Sequence, residues 1–219
     1  MEKREIVNNL QGKPFEHYSA MYREIDPEEA ARRCSVQYYA EDREFEVVFM
    51  GNRYRVCFPE YDTRCIDKKY PADQLNGLGK GYILLLRHLI EGKRSPWNGR
   101  FCAYKELPWG DLYSQQFAGR CLNRMAFTYG KRIDDFRAIL EKMGGEPIKN
   151  GDAGYELEFM PGLRVQLMLW EADDEFPPSA QFLFSDNFPE AFAPEDLAVV
   201  GDVTLNAMKE TEAWLKANK

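Results

Sequence analysis

The sequence predicts an α+β protein built from two helix, hairpin, loop, helix halves, about residues 15–95 and 110–216, sharing one antiparallel sheet packed against helices. Two segment pairs alternate apolar and polar residues around a turn, the period-2 pattern of half-buried hairpin strands. Before and after each pair, apolar residues recur at three- and four-residue spacing, which lines one side of a helix. The hairpins also match each other: Phe45-Glu-Val-Val-Phe-Met50 resembles Tyr155-Glu-Leu-Glu-Phe-Met160, and Arg55-Val56 resembles Arg164-Val165 once one residue is skipped in the turn. A lone hairpin buries too little apolar area to persist, so an internal duplication whose hairpins join in one sheet is the expected arrangement.

Phe15, Tyr18, Tyr22 and Ile25 mark a first helix. Asp26-Pro27-Glu28-Glu29 supplies a capping carboxylate and a proline at the first helical position, which starts a second helix expected to reach about Cys34. Phe45, Val47 and Phe49, then Tyr54, Val56 and Phe58, alternate on either side of Gly51-Asn52 and form the first hairpin. Pro59 to Pro71 reads as irregular. Tyr82, Leu85, Leu86 and Leu89 give a buried helix that stops at Gly92. The turn formers between Ser95 and Pro108 read as a connection between halves. Tyr113, Phe117, Cys121 and Met125, and then Ile133, Phe136, Leu140 and Met143 ahead of Gly144-Gly145, give two further helices. Tyr155, Leu157 and Phe159 pair across Pro161-Gly162 with Val165, Leu167 and Leu169 as the second hairpin. A strand at Gln181–Phe184 and a helix begun by Pro194, with Leu197, Val200, Met208 and Leu215 inward, complete the chain.

Composition narrows function by exclusion. The chain has 219 residues, 44% of them hydrophobic, enough for a single domain over 1–219 with a substantial core. A formal charge of -7 repels a phosphate backbone and argues against nucleic acid as partner. The longest aliphatic run, Tyr82 to Ile90, is interrupted by Arg87 and His88 and is too short to cross a membrane. No apolar stretch of signal-peptide length follows Met1, and the five cysteines are odd in number and widely spaced, so a cytoplasmic protein with reduced thiols is expected.

Few motifs carry chemistry. Gly77-Leu-Gly79-Lys80-Gly81 stands before a helix, but Gln74 and Gly81 occupy the positions where a Walker loop needs glycine and Ser or Thr. Those glycines are better read as allowing close packing at the helix start. His17 and His88 have no other obvious ligand nearby, and no Cys-x-x-Cys pair exists. Of the three cysteines that follow an arginine, Cys65 sits in the irregular stretch beside Asp62 and Asp67 and is the candidate functional thiol. The densest polar feature is Trp170-Glu171-Ala172-Asp173-Asp174-Glu175-Phe176-Pro177-Pro178, where four carboxylates in five positions can bind a hard cation or, as loops of this kind commonly do, simply face water. If a pseudo-twofold relates the halves, this loop and the one carrying Asp62, Cys65 and Asp67 flank a cleft between them.

Three stretches, Gly81-Tyr-Ile-Leu-Leu-Leu-Arg-His-Leu89, Arg100-Phe101 through Glu106-Leu-Pro-Trp-Gly110, and Trp170 through Ala180 with Leu183-Phe184, resemble the domain of unknown function numbered 3786, found mostly in anaerobic bacteria and archaea. The resemblance covers most of the chain from about residue 15, and it brings no catalytic residue with it. Some relatives carry a separate four-cysteine domain similar to that of corrinoid iron-sulfur proteins. This implies a setting in anaerobic one-carbon or corrinoid metabolism and an iron-sulfur or corrinoid protein as partner; no such four-cysteine domain occurs in these 219 residues. The expected function is a binding module that holds a small-molecule cofactor, a corrinoid or another tetrapyrrole, or a protein partner between its halves. Its candidate ligand-binding residues are Trp170, Glu171, Asp173, Asp174, Glu175, Asp62, Cys65 and Asp67. The alternative is a metal-assisted hydrolase or lyase that uses Asp173, Asp174 or Glu175 with Asp62 or Asp67.

Overall fold

A computed structural model of the chain describes residues 13–76 and 79–218. The first residues weighed for an export signal lie outside that range, as do Gly77 and Leu78 of the glycine-rich stretch. The fold is α+β. Helices α1 (Lys13–Arg23) and α2 (Pro27–Cys34) precede strands β1 (Gln37–Tyr39), β2 (Glu44–Phe49), β3 (Asn52–Cys57) and β4 (Thr63–Asp67), and α3 (Lys80–Glu91) follows. At the start of α2 the Asp26 carboxylate accepts from the amides of Glu28 and Glu29, at 2.9 and 3.2 Å, as its sequence signature requires. The second half contains β5 (Phe101–Ala103), α4 (Gly110–Phe117), α5 (Arg124–Tyr129), α6 (Ile133–Lys142), β6 (Glu146–Pro147), β7 (Ala153–Met160), β8 (Leu163–Trp170), β9 (Ser179–Ser185), α7 (Phe188–Ala191) and α8 (Pro194–Ala217).

The hairpins do not share a sheet. The first lies in a four-stranded sheet of order β1-β2-β3-β4 and the second in a five-stranded sheet of order β5-β9-β8-β7-β6, both antiparallel. Each hairpin is flanked on both sides by strands of its own half, and these occupy the hydrogen-bonding edges that a joint sheet would need. Two of the strands arise where the sequence reads as loop: β4 within Pro59–Pro71, which flanks the first hairpin, and β5 within Ser95–Pro108, which pairs with β9. Both halves nevertheless contain a four-strand meander with helices before and after it, to which the second half adds β5 beside β9. The sheets touch at matching positions. The Met50 amide donates to the Phe159 carbonyl at 2.8 Å, and the rings of Phe49 and Phe159 meet edge to face.

Between α4 and α5 the helix continues through a π-helical turn, Ala118–Asn123. Tyr113, Phe117, Cys121 and Met125 recur at strict steps of four, longer than the 3.6-residue period, and one wide turn lets Phe117, Cys121 and Met125 all stay buried. Helix α8 packs against both α3 and α6. Its carboxylates reach residues of each half: Asp196 pairs with Arg87 at 2.9 Å, Asp202 with Lys80 at 2.6 Å, and Glu212 with Arg132 at 2.8 Å. Glu210 accepts from the Asp73 amide at 3.0 Å. Among the described residues, no helix is long and apolar enough to cross a membrane.

Tyr70 wedges between the halves. Its backbone is held by the buried Asn52 side chain, which accepts from the Tyr70 amide at 2.7 Å and donates to the Ala72 carbonyl at 2.7 Å. A Cβ on Gly51 would overlap the Tyr70 ring, and one on Gly144 would overlap its hydroxyl. Both glycines also have φ near +80°, where a side chain is strained.

Candidate functional site

The residues singled out in the sequence are not brought together. Asp173 turns its carboxylate back onto its own loop, accepting from the amides of Glu175 at 2.9 Å and Phe176 at 2.6 Å. Asp174 and Glu175 are exposed, and the Glu171 amide donates to Asp152. The groove beside this loop, about 570 Å³, is lined by the loop and by Phe127, Thr128, Lys131 and Arg132, all of the second half. Trp170 lines a different hollow, with Tyr104 and Phe182. Asp62 and Asp67 are exposed and flank or end β4, the edge strand of the other sheet, where Asp67 is engaged by Arg53 at 3.1 Å. Among the described residues, no three His, Cys, Asp or Glu side chains gather as metal ligands.

The surroundings of Cys65 disfavour its thiolate. Burial and the nearby Asp73 carboxylate push its pKa up. The adjoining Arg64 turns to Glu44, at 2.8 Å, because successive strand residues project to opposite faces. Cys34 and Cys121 follow the same logic: burial raises them to about 11 and about 12, and their arginine neighbours are committed elsewhere. Arg33 donates to the carbonyls of Leu89, Ile90 and Gly92 at the end of α3, where a cation complements the helix dipole. Arg120 pairs with Asp202. At the start of α3, Lys80 goes to Asp202, and a Cβ on Gly81 would stand 2.5 Å from the Gln74 carbonyl, so close packing accounts for that glycine.

Both halves do enclose a cleft, built from other residues. Its volume is about 230 Å³. Val36 and Val48 of the first half face Met160 and Leu163 of the second across it, and Cys34 and His88 also line it. Ser35 and Arg94 stand where it opens into an adjoining hollow of about 400 Å³ bordered by Trp97, Gly162 and Arg164. The elements that position these side chains are tied tightly. Cys34 donates to the His88 carbonyl at 3.3 Å, joining α2 to α3. His88 Nδ1 lies 2.9 Å from the Ala191 carbonyl. A carbonyl can only accept, so Nδ1 carries the proton and Nε2 is left as an acceptor. Burial pushes the His88 pKa down to about 4, with the hydrogen bond to Ala191 opposing and the nearby Arg33 charge adding to it. The imidazole is therefore neutral at physiological pH. Gly92 makes this contact possible, since a Cβ there would overlap both the Ala191 carbonyl and His88 Nδ1.

The family described as domain of unknown function (DUF3786) matches residues 26–207. The chain belongs to that family. No curated protein and no solved structure matches it. The DUF3786 match runs from the cap of α2 into α8, so the cleft lies wholly inside the family unit. Its lining comes from five separate stretches around residues 35, 47, 88, 94 and 161, a gathering that spacing along a sequence does not display. Two signals could have found it, though neither is read that way from the sequence alone: the histidine set within the Leu-rich helix and the Pro161-Gly162 turn that closes the second hairpin.

Proposed function

We propose that the chain is a binding module that holds a small molecule in the cleft between its two halves. The observation that carries this reading is the lining: apolar walls from both halves beside a buried, neutral imidazole whose tautomer is fixed by Ala191. An apolar concavity with a few fixed polar groups is the usual form of a ligand site. The recurrence of a four-strand meander with helices on either side supports an internal duplication, with the cleft arising where the copies meet. A reducing, cytoplasmic setting is part of the reading, supported by five cysteines that are all free thiols.

Ligand size follows from volume. At about 230 Å³ the cleft is smaller than the roughly 300–1,000 Å³ typical of pockets for drug-sized molecules. A small organic molecule suits it as it stands, whereas a corrinoid or another tetrapyrrole requires the halves to part. The test is a fragment screen by NMR on isotopically labelled protein, comparing wild type with Val48→Trp, which fills the cleft from β2. Small molecules are expected to shift the amides of residues 34–37, 88–94 and 160–164 in wild type and to leave the variant unmoved. Shifts confined to other surfaces would overturn the reading.

A further inference from the structure

The cleft and its charges together indicate which class of small molecule it takes, an inference that rests on the binding reading above. We propose that the ligand is a small carboxylic acid, its carboxylate on Arg94 and its apolar body between Val36, Val48, Met160 and Leu163.

Charge matching singles out Arg94. Glu46, which also lines the cleft, is compensated by Arg55 at 3.0 Å and Arg53 at 3.6 Å. Arg164 is compensated by Glu156 at 2.6 Å and lies over the Trp97 ring. Among the described residues lining the cleft and its extension, Arg94 is the charged group with no opposite charge within 4.0 Å. A guanidinium left open in a concave site offers a planar pair of donors suited to a carboxylate, and it stands out in a chain whose net charge of -7 otherwise repels anions.

Arg94 is exposed, and its backbone is held in place. The Arg94 amide donates to the Arg33 carbonyl at 2.9 Å. The side chain rests against Gly162, where a Cβ would come within 2.9 Å of the guanidinium. Asn187, itself buried, donates to the carbonyls of both Ser95 and Gly162 at 2.9 Å, fixing the segment that carries Arg94 against the turn. The apolar walls favour an organic acid over an inorganic anion, and the neutral His88 supplies an acceptor suited to a hydroxyl or amine on the ligand.

The experiment titrates acetate, butyrate and phenylacetate, their three primary amides, and inorganic phosphate into wild type, Arg94→Gln and Arg94→Lys, by calorimetry and by NMR of the cleft amides. At least one acid is expected to bind saturably and to shift the cleft amides, with its amide and phosphate about tenfold weaker or more. Arg94→Gln should weaken that acid about tenfold while leaving the amide unchanged, and Arg94→Lys should fall between, because a lysine keeps the charge but loses the paired donors. Amides that match their acids, phosphate that matches them, or Arg94→Gln that binds as wild type does would overturn the carboxylate assignment and leave cleft binding standing. If neither acids nor amides move the cleft amides, the carboxylate assignment falls, and the fragment screen decides the binding reading separately.

Discussion

The rings of Phe49 and Phe159 meet edge to face, centroids 5.0 Å apart and planes at 66°, although they belong to different sheets and stand 110 positions apart in the chain. They occupy the same place in the two matching hairpin segments. Both rings are buried, and the adjoining Met50 amide reaches the Phe159 carbonyl. This is where the two sheets are joined.

Truncating either ring should therefore weaken the whole molecule and not one half of it. Phe159→Ala is expected to cost about 3–5 kcal/mol. A double-mutant cycle with Phe49→Ala should show a coupling of about 0.5–1.5 kcal/mol. Urea denaturation followed by tryptophan fluorescence and far-UV circular dichroism checks this, with a single coincident transition expected in each variant.

His88 should make stability depend on pH in a known direction. Its folded pKa, about 4, lies below the unfolded value near 6.5. Above about pH 6.5 neither state takes the proton and the full stability is present. Between about 6.5 and 4 only the unfolded chain is protonated, so stability is lost as pH falls, levelling off below 4. Between pH 7.5 and 4.5 the stability advantage of wild type over His88→Gln should shrink by about 2–3 kcal/mol, because most other groups cancel in the difference. Urea midpoints of the two proteins at those pH values measure it.

Gly144→Ala should be costly for two reasons, the left-handed backbone and the Tyr70 hydroxyl it would meet. The first alone is worth about 1–2 kcal/mol. The second disappears when the ring is removed, so Tyr70→Ala should destabilise the Gly144→Ala protein less than it destabilises wild type. Additive losses in thermal unfolding would show that the two residues do not press on each other.

The acidic loop should behave as a self-capped turn. Asp173→Ala removes the acceptor for two amides and is expected to lower Tm by a few degrees. That loss should be the same with or without millimolar Mg²⁺, which scanning calorimetry of both proteins in both conditions can establish.

The two hairpins and most helices were legible because their periodicity is strong: Phe45, Val47 and Phe49 alternate with more polar or less buried neighbours, and Asp26-Pro27 announces α2. Strand β4 was not, because Thr63–Asp67 is an edge strand whose residues are half-buried or exposed and so carry no clear apolar stripe. Strands of two or three residues, such as β1, β5 and β6, are shorter than any pattern. Those same edge strands explain why one shared sheet was expected and two are found. The acidic loop drew notice because charge is dense there, but density is a property of neighbours in sequence. Cys34, His88 and Arg94 are isolated in the chain and become a site only through the docking of α2 on α3 and the approach of the Gly162 turn.

Helix α8 has an implication for biosynthesis. Among the described elements it comes last in the chain, and it pairs with Arg87 and Lys80 from one half and Arg132 from the other. Until it is made, the surface that Leu197, Val200 and Met208 cover stays bare. A premature stop before Leu197 thus releases a chain without the helix that packs on both α3 and α6, and a quality-control protease would meet it as an unfinished product.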